Sequence, residues 1–278
     1  MKAFVLASFI CFSHAASSQY YYKDIIGTKE SAELITSYRN NKVRTVTLNS
    51  YTLNNIPIEN FSIQQEFLPA LQALQTITRT EYSNISYLTS FINADGKLVK
   101  ATDSSNGIVN SSIYSYNKTG HLTSISIIAG DSLAAVQTDE HLWQYDAQNR
   151  VSRMLRIKNK KDTAIVSFKL DENGNVVEEQ EKRRVVTDQP FYYYYNDNNL
   201  LTDIVRYNAK VARLLPEYMF EYSSSNQVIQ RITVPQNSTQ YLIWRYAYND
   251  KGLRTKEVIF NKDKEQTGKV EYQYTFSN

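Results

Sequence analysis

Seven segments of this chain repeat one turn pattern, and that repetition restricts what the chain can fold into more than any other feature. The segments begin at Ile92, Tyr116, Tyr145, Leu170, Tyr195, Tyr222 and Tyr248. The next residue is always Asn, Asp or Ser: Asn93, Asn117, Asp146, Asp171, Asn196, Ser223 and Asn249. Three places further on stands only Gly or Asn: Gly96, Gly120, Asn149, Gly174, Asn199, Asn226 and Gly252. The first type accepts backbone N–H groups at the start of a type I turn. The second tolerates the positive φ of a hairpin closed by a G1 bulge. Leading residues lie 24 to 29 apart, the length of two strands and two connections, and Tyr274 falls at the next expected place.

The strand before each turn alternates with period 2, as in Trp143/Tyr145, Phe191/Tyr193/Tyr195, Tyr218/Phe220/Tyr222 and Trp244/Tyr246/Tyr248. Such alternation puts the rings on one face of a pleated sheet. The same parity on the return strands predicts Val151, Leu155 and Ile157, or Val228, Ile232 and Val234, on that face. Glu178, Gln180 and Lys182 break the pattern, which predicts an edge or a partly solvated hairpin there. The expected fold is all-β: tandem antiparallel β-hairpin repeats forming one long curved or twisted sheet, with a short N-terminal helix. That helix is expected over Thr28–Asn40 with Thr28 as its cap. Tyr51–Asn55 has the shape of a degenerate turn of the same kind.

The N-terminus reads as an address. Lys2, the apolar run from Ala3 to Phe12 and the small residues from Ser13 to Ser18 have the layout of a secretory signal peptide, cleaved after Ala15 or Ser18. The expected division is therefore a signal peptide (1–18), an N-terminal capping region (19–84) and a hairpin-repeat region (85–278). The mature chain would be secreted or periplasmic, part of a bacterial cell envelope. Removing the leader removes Cys11, the single cysteine, so no disulfide could staple the fold. A formal charge of +3 over 278 residues gives no reason to expect nucleic acid as a partner. No apolar run reaches the roughly 20 residues of a transmembrane helix.

Tyr116-Asn117, Tyr145-Asp146, Tyr195-Asn196 and Tyr248-Asn249, each with Gly or Asn three places after the Asn or Asp, resemble the YD repeats of the Rhs and teneurin type. The likeness covers roughly residues 85–278 and extends to small secreted repeat proteins of Gram-negative bacteria. The period here is longer than in the Rhs type, and Leu253 and Arg254 are transposed in the last unit. The resemblance implies a curved antiparallel sheet of hairpins and implies no catalytic residues.

Little in the chain points to chemistry. His121 follows a turn glycine and reads as an exposed turn residue. His141 follows Asp139 and Glu140, but neighbouring strand residues point to opposite faces, so these three make a poor metal site. Asp171, Asn173 and Asn175 begin like a calcium loop, yet the glycine comes two places early and the twelfth position is Lys182. No phosphate loop, nucleophile elbow or Ser/His/Asp set is present. A non-enzyme with no cofactor and no metal is expected. The aromatic ladder suggests a stacking platform for a glycan or an extended peptide, with Trp143, Tyr193, Tyr195, Trp244 and Tyr246 as the binding residues. The leading expectation is an exported, non-catalytic binding or structural module. The alternatives are an outer-membrane β-barrel, which would need one apolar lipid face, and a secreted hydrolase. Oligomeric state and closure of the sheet stay open at this point.

Overall fold

A computed structural model describes residues 20–81, 83–105, 107–130, 136–209, 211–235 and 238–277, so the expected signal peptide lies outside the described residues. One helix, α1 (Lys23–Asn40), precedes nineteen described strands. These are β1 (Val43–Tyr51), β2 (Ser62–Leu68), β3 (Ala73–Thr80), β4 (Ser83–Ile92), β5 (Leu98–Ser105), β6 (Ile108–Tyr116) and β7 (Leu122–Gly130). Then come β8 (Gln137–Tyr145), β9 (Val151–Lys158), β10 (Asp162–Leu170), β11 (Val176–Arg183), β12 (Val186–Thr187) and β13 (Phe191–Tyr195). The last are β14 (Leu201–Asn208), β15 (Arg213–Tyr222), β16 (Val228–Thr233), β17 (Leu242–Tyr248), β18 (Arg254–Phe260) and β19 (Gln266–Phe276).

Each strand pairs antiparallel with its neighbour in sequence, and the ring then closes. β1 pairs with β19 from Val43↔Phe276 to Tyr51↔Lys269. The two-residue β12 pairs only with β11, which also pairs with β13, so nineteen strands less β12 leave eighteen in the ring. The long curved or twisted sheet of tandem hairpins expected from the repeats is therefore corrected to a closed barrel of eighteen strands. Closure removes both sheet edges, whose unpaired N–H and C=O groups would otherwise recruit another chain.

All seven predicted turns form. Gly96, Gly120, Asn149, Gly174, Asn199, Asn226 and Gly252 have φ between 57° and 84°. In the first turn Asn93 N–H donates to Lys97 O at 2.9 Å and Gly96 N–H to Asn93 O at 3.0 Å, and the other six repeat this pair. An eighth turn of the same geometry joins β18 to β19, with Lys264 at φ 62°. Thr52–Ile56 makes the same two bonds between β1 and β2.

Each bulge also corrects the expected parity. The ladder slips by one residue at the leading position, for example between Gln144 and Tyr145. Beyond the slip Trp143 faces Met154, and Leu155 lies opposite Leu142 on the other side. Leu155 and Ile157 therefore point outward, because the inserted residue inverts the return strand. The same inversion makes sense of the polar β11: Glu178, Gln180 and Lys182 point out, while Glu179 and Glu181 point in and are buried.

The positive-φ sites carry a direct prediction. Gly120 sits at φ 83°, where a Cβ would also come within 3.1 Å of Lys97 Nζ. Gly120→Ala is expected to cost about 1–2 kcal/mol, read as a lower urea midpoint. Asn149→Gly, which relieves a left-handed residue, should be neutral within about 0.5 kcal/mol. Equal midpoints for Gly120→Ala and the parent chain would refute the strain argument.

α1 begins at Lys23, five residues before the expected start, and Thr28 lies within it, its hydroxyl donating to Asp24 O. The helix lies inside the barrel. Tyr38 donates to Gln65 of β2 at 2.9 Å and packs edge-on against Tyr274 of β19. Asp24 meets His141 of β8, and Tyr20 packs against Phe191 and Tyr193 of β13 and Tyr218 of β15. The main core joins Ile35 and Tyr38 to Val46, Ile63, Tyr114, Trp143, Met154 and Val166, and a smaller one gathers Val176, Phe191, Tyr193 and Ile204. The outer wall is mixed: Glu66, Glu140, Glu178, Lys182, Arg245 and Glu271 point away from buried inward neighbours, and Ile113, Ile128, Ile165, Tyr194 and Met219 share that outward face.

Candidate functional site

The tyrosines that open the repeat turns form a collar inside one mouth of the barrel. Each donates its hydroxyl to a carbonyl of the preceding hairpin. Tyr116 reaches Leu98 O, Tyr145 Leu122 O, Tyr222 Leu201 O and Tyr274 Arg254 O, all at 2.7 Å. Tyr195 reaches Val176 O at 2.9 Å and Tyr248 reaches Val228 O at 2.8 Å. In every case the acceptor is six residues past the preceding leading residue. Leu170 interrupts the series because it has no hydroxyl. Neighbours already cover several of these half-buried rings: Lys97 lies over Tyr116, His121 packs on Tyr145, Arg254 lies over Tyr248 and Phe276 stacks on Tyr274.

The helix divides the interior. Asp24, Thr28, Ile35 and Tyr38 are buried, whereas Lys29, Glu30, Glu33 and Leu34 are exposed on the opposite face. Across from that face, Tyr195, Tyr222, Tyr246 and Tyr248 are only half-buried. Glu30 lies within the fields of Arg231 and Arg254, and partial enclosure by protein holds its carboxyl above the ordinary range despite its exposure. The space between α1 and the β13–β18 wall is thus a solvated vestibule. It opens at the end where Thr36 and Arg39 approach the Gly96 turn. On its rim, between the ends of β14 and β15, lies a notch of about 490 Å³.

The five expected binding residues separate into two sets. Trp143, Tyr193 and Trp244 are 4%, 1% and 3% exposed. Trp143 stacks on Phe168 at 5.3 Å, Tyr193 donates to Glu179 at 2.6 Å, and Trp244 lies under the Arg231 guanidinium. Those three fill the core. Tyr195 and Tyr246 are half-buried, Tyr195 packed with Tyr22 against the smaller core and Tyr246 under the Arg254 guanidinium at 4.2 Å. Tyr222 and Tyr248, which head their turns, and Tyr274, at the corresponding place in β19, share this hydroxyl bond, and their regular spacing in the sequence is the signal that marks them.

A second constellation fastens the helix to the wall. Glu179 Oε1 accepts from Tyr21 N–H at 2.6 Å and its Oε2 from Tyr22 N–H at 2.8 Å, so the wall supplies the helix cap that Tyr22 lacks. His141 Nδ1–H donates to Asp24 at 2.6 Å, and Arg156 Nε–H donates to Asp139 at 2.9 Å. Arg156 also donates to Tyr21 Oη at 3.0 Å, which in turn donates to Glu181 at 3.2 Å. Asp139 and His141 point inward together and Glu140 outward, as strand alternation requires. Burial pushes the Glu179 carboxyl up to about 7, against the three donors that favour its anion. Burial disfavours the charged imidazole of His141, but Asp24 and Asp139 outweigh it and hold the pKa up at about 9. Burial would raise Asp139 too, yet His141 and Arg156 keep it well below the usual carboxylate range. His121 is a turn residue whose Nδ1 meets the Thr119 hydroxyl at 2.9 Å. Among the described residues no group of three His, Cys, Asp or Glu is placed to hold a metal.

No protein-family model matches this chain, and no curated protein does. Similar solved structures include the Photorhabdus luminescens Tc holotoxin pore, 14% identical over 77% of this chain with a TM-score of 0.35. A TcdB2–TccC3–Cdc42 structure is 14% identical over 80% of it, also at 0.35. The chain spans only 12% of the length of either of those chains. A porin-like protein from Bacteroides uniformis is 11% identical over 85% of this chain and 97% of its own, with a TM-score of 0.39.

Proposed function

We propose that the chain is an exported, non-catalytic binding module whose vestibule takes a glycan or an extended peptide against the tyrosine collar. The observation that carries this reading is the collar itself: six rings pinned by their hydroxyls and half-open at the mouth of a barrel whose core is otherwise filled. Pinned rings lose little freedom on binding, which makes stacking on them effective. Lys182 and Arg245 on the outer wall favour a barrel that stands in water, since a Lys or Arg at the bilayer midplane costs about 2–4 kcal/mol on such a wall, whereas the exposed Ile113, Ile128, Ile165 and Tyr194 on the same wall favour a lipid-facing one.

The test is a glycan array and a peptide panel read with the full chain. Tyr222→Ala and Tyr248→Ala are each expected to weaken binding about tenfold, the loss of about 1–3 kcal/mol when a stacked ring is removed. Tyr222→Phe should bind normally, because the ring is kept. Binding untouched by both alanine variants would move the site away from the collar.

A second reading, an outer-membrane barrel, is favoured by specific observations. The sheet is closed, eighteen strands is an even number, and the seven repeat turns gather at one end, where α1 enters β1 and Ser277 bonds Lys42 O. In closure the structure is nearer to that alternative than to a long sheet of tandem hairpins. Cell fractionation separates the two: carbonate-resistant pelleting with heat-modifiable migration would establish the membrane barrel, and release with the soluble envelope fraction the water-exposed one.

A further inference from the structure

Arg231 of β16 sits on the inner face of the wall, level with Phe220 of β15 and Trp244 of β17. Its guanidinium covers the Trp244 ring at 5.2 Å. Arg231 Nε and Trp244 Nε1 are both enclosed, and neither finds an acceptor among the described residues. No described ion pair uses Arg231. The other inward arginines differ: Arg254 holds Glu257 at 2.6 Å, and Arg206 lies 3.9 Å from Glu217. Enclosed donors with no acceptor are rare and costly, so this pair calls for an acceptor that the chain itself does not supply.

The surroundings restrict what that acceptor is. Glu30 on the exposed face of α1 lies in the field of Arg231 without forming an ion pair with it. One negative charge on a ligand is drawn to Arg231, and a second would be repelled by Glu30. A polymer with an acid on every unit would also find Arg254 already held by Glu257. The space has a floor, because Tyr20 packs against Phe191, Tyr193 and Tyr218, one inward step below Phe220. Toward the mouth the next inward side chains are Tyr222 on β15, and Tyr246 and then Tyr248 on β17. A site closed below, open above and suited to one negative charge fits the end of a chain.

We propose that Arg231 anchors the C-terminal carboxylate of an extended peptide, whose preceding residues rise past Tyr246 to Tyr222 and Tyr248. This rests on the vestibule reading above and selects the peptide from its two ligand classes. A carboxylate takes a guanidinium through two parallel bonds, which an amide carbonyl or a hydroxyl does not. Such capture of a terminal carboxylate is a recurring mode of peptide recognition.

Retention of a randomised decapeptide pool on the immobilised full chain tests this, with free C-termini in one pool and amidated C-termini in the other. The free acids should be held at least tenfold better than the amides. Arg231→Gln, checked for an unchanged thermal melt, should erase that preference. The comparison of the two pools on the parent chain decides the matter even where the variant does not fold. Equal retention of acids and amides, both lost in Tyr248→Ala, would overturn the carboxylate anchor and keep the vestibule. An acid preference that survives in a folded Arg231→Gln would overturn the assignment to Arg231. Tyr248-dependent binding of cellohexaose with no peptide retained would overturn the peptide class and keep the vestibule. No Tyr248-dependent binding of peptides or cellohexaose would overturn both readings.

Discussion

Glu179→Ala is expected to lower the unfolding free energy by about 3–5 kcal/mol, the cost of leaving three buried donors without their acceptor. The side chain is 2% exposed and accepts from Tyr21 N–H, Tyr22 N–H and Tyr193 Oη. Truncation strands all three donors in a site that water does not reach, at about 1–3 kcal/mol each before relaxation. It also removes the acceptors that cap the N-terminus of the helix. Glu179→Gln keeps an acceptor and should cost less than half as much. Asp24→Ala, which strands His141, should approach the alanine value at position 179. Urea unfolding measures the loss, and limited proteolysis within Lys23–Asn40 reports whether the plug leaves before the wall melts. A loss below about 1 kcal/mol for Glu179→Ala would mean that the helix is held by its apolar contacts alone.

The same cluster fixes a pH response. A raised folded pKa gives stability that is complete below the ordinary value and is lost as the pH climbs through the folded one. For Glu179 that window runs from 4.5 to about 7, and for His141 from 6.5 to about 9. Asp139 works in the other direction: its lowered pKa stabilises above 3.8 and is lost in acid. The urea midpoint should therefore be higher at pH 5 than at pH 9. His141→Asn should flatten the upper half of that fall, and an unchanged slope would locate the titration elsewhere.

The hairpin tips were legible in the sequence because a positive φ is a local demand that few residues meet. Gly120 and Asn226 announce it; Lys264 meets it at φ 62° without announcing it, so the eighth turn stayed hidden. Strand parity beyond each tip was misread for a related reason. The bulge that the turn requires inserts a residue, so Met154 and Arg156 face the interior where Leu155 and Ile157 had been expected. The helix start was illegible because its cap, Glu179, lies 157 residues from Tyr22 in sequence. Alternation puts Tyr195 and Tyr246 on the inner face, but it cannot separate a ring packed in the core, such as Trp143, from one near an open mouth. That difference depends on where α1 lies, and the inner wall is unevenly filled because the helix leans on β1, β2, β4 and β5.

Closure itself gives the sharpest separation between the architecture seen and the one the repeats suggest. In an open stack of hairpins each unit contacts only its neighbours, so removing the last strand would trim one terminal contact and leave the rest folded. In the closed ring β19 holds β18 on one side and β1 on the other, across pairs such as Val46↔Tyr274 and Leu48↔Tyr272. It also brings Tyr272 and Tyr274 into the main core and Tyr274 against Tyr38 of the plug. Deleting residues 266–278 would leave β1 and β18 as free edges and open the core between them. Each edge would present a row of unpaired backbone groups, the usual template for association. The truncated chain is therefore expected to lose its single cooperative urea transition and to elute as oligomers in size-exclusion chromatography. A synthetic peptide of residues 266–278, added in excess, should pair into the gap and restore a monomeric species, as strand addition does at other open edges. A monomeric truncated chain with the parent's midpoint would show that the β1–β19 seam does not hold the barrel together.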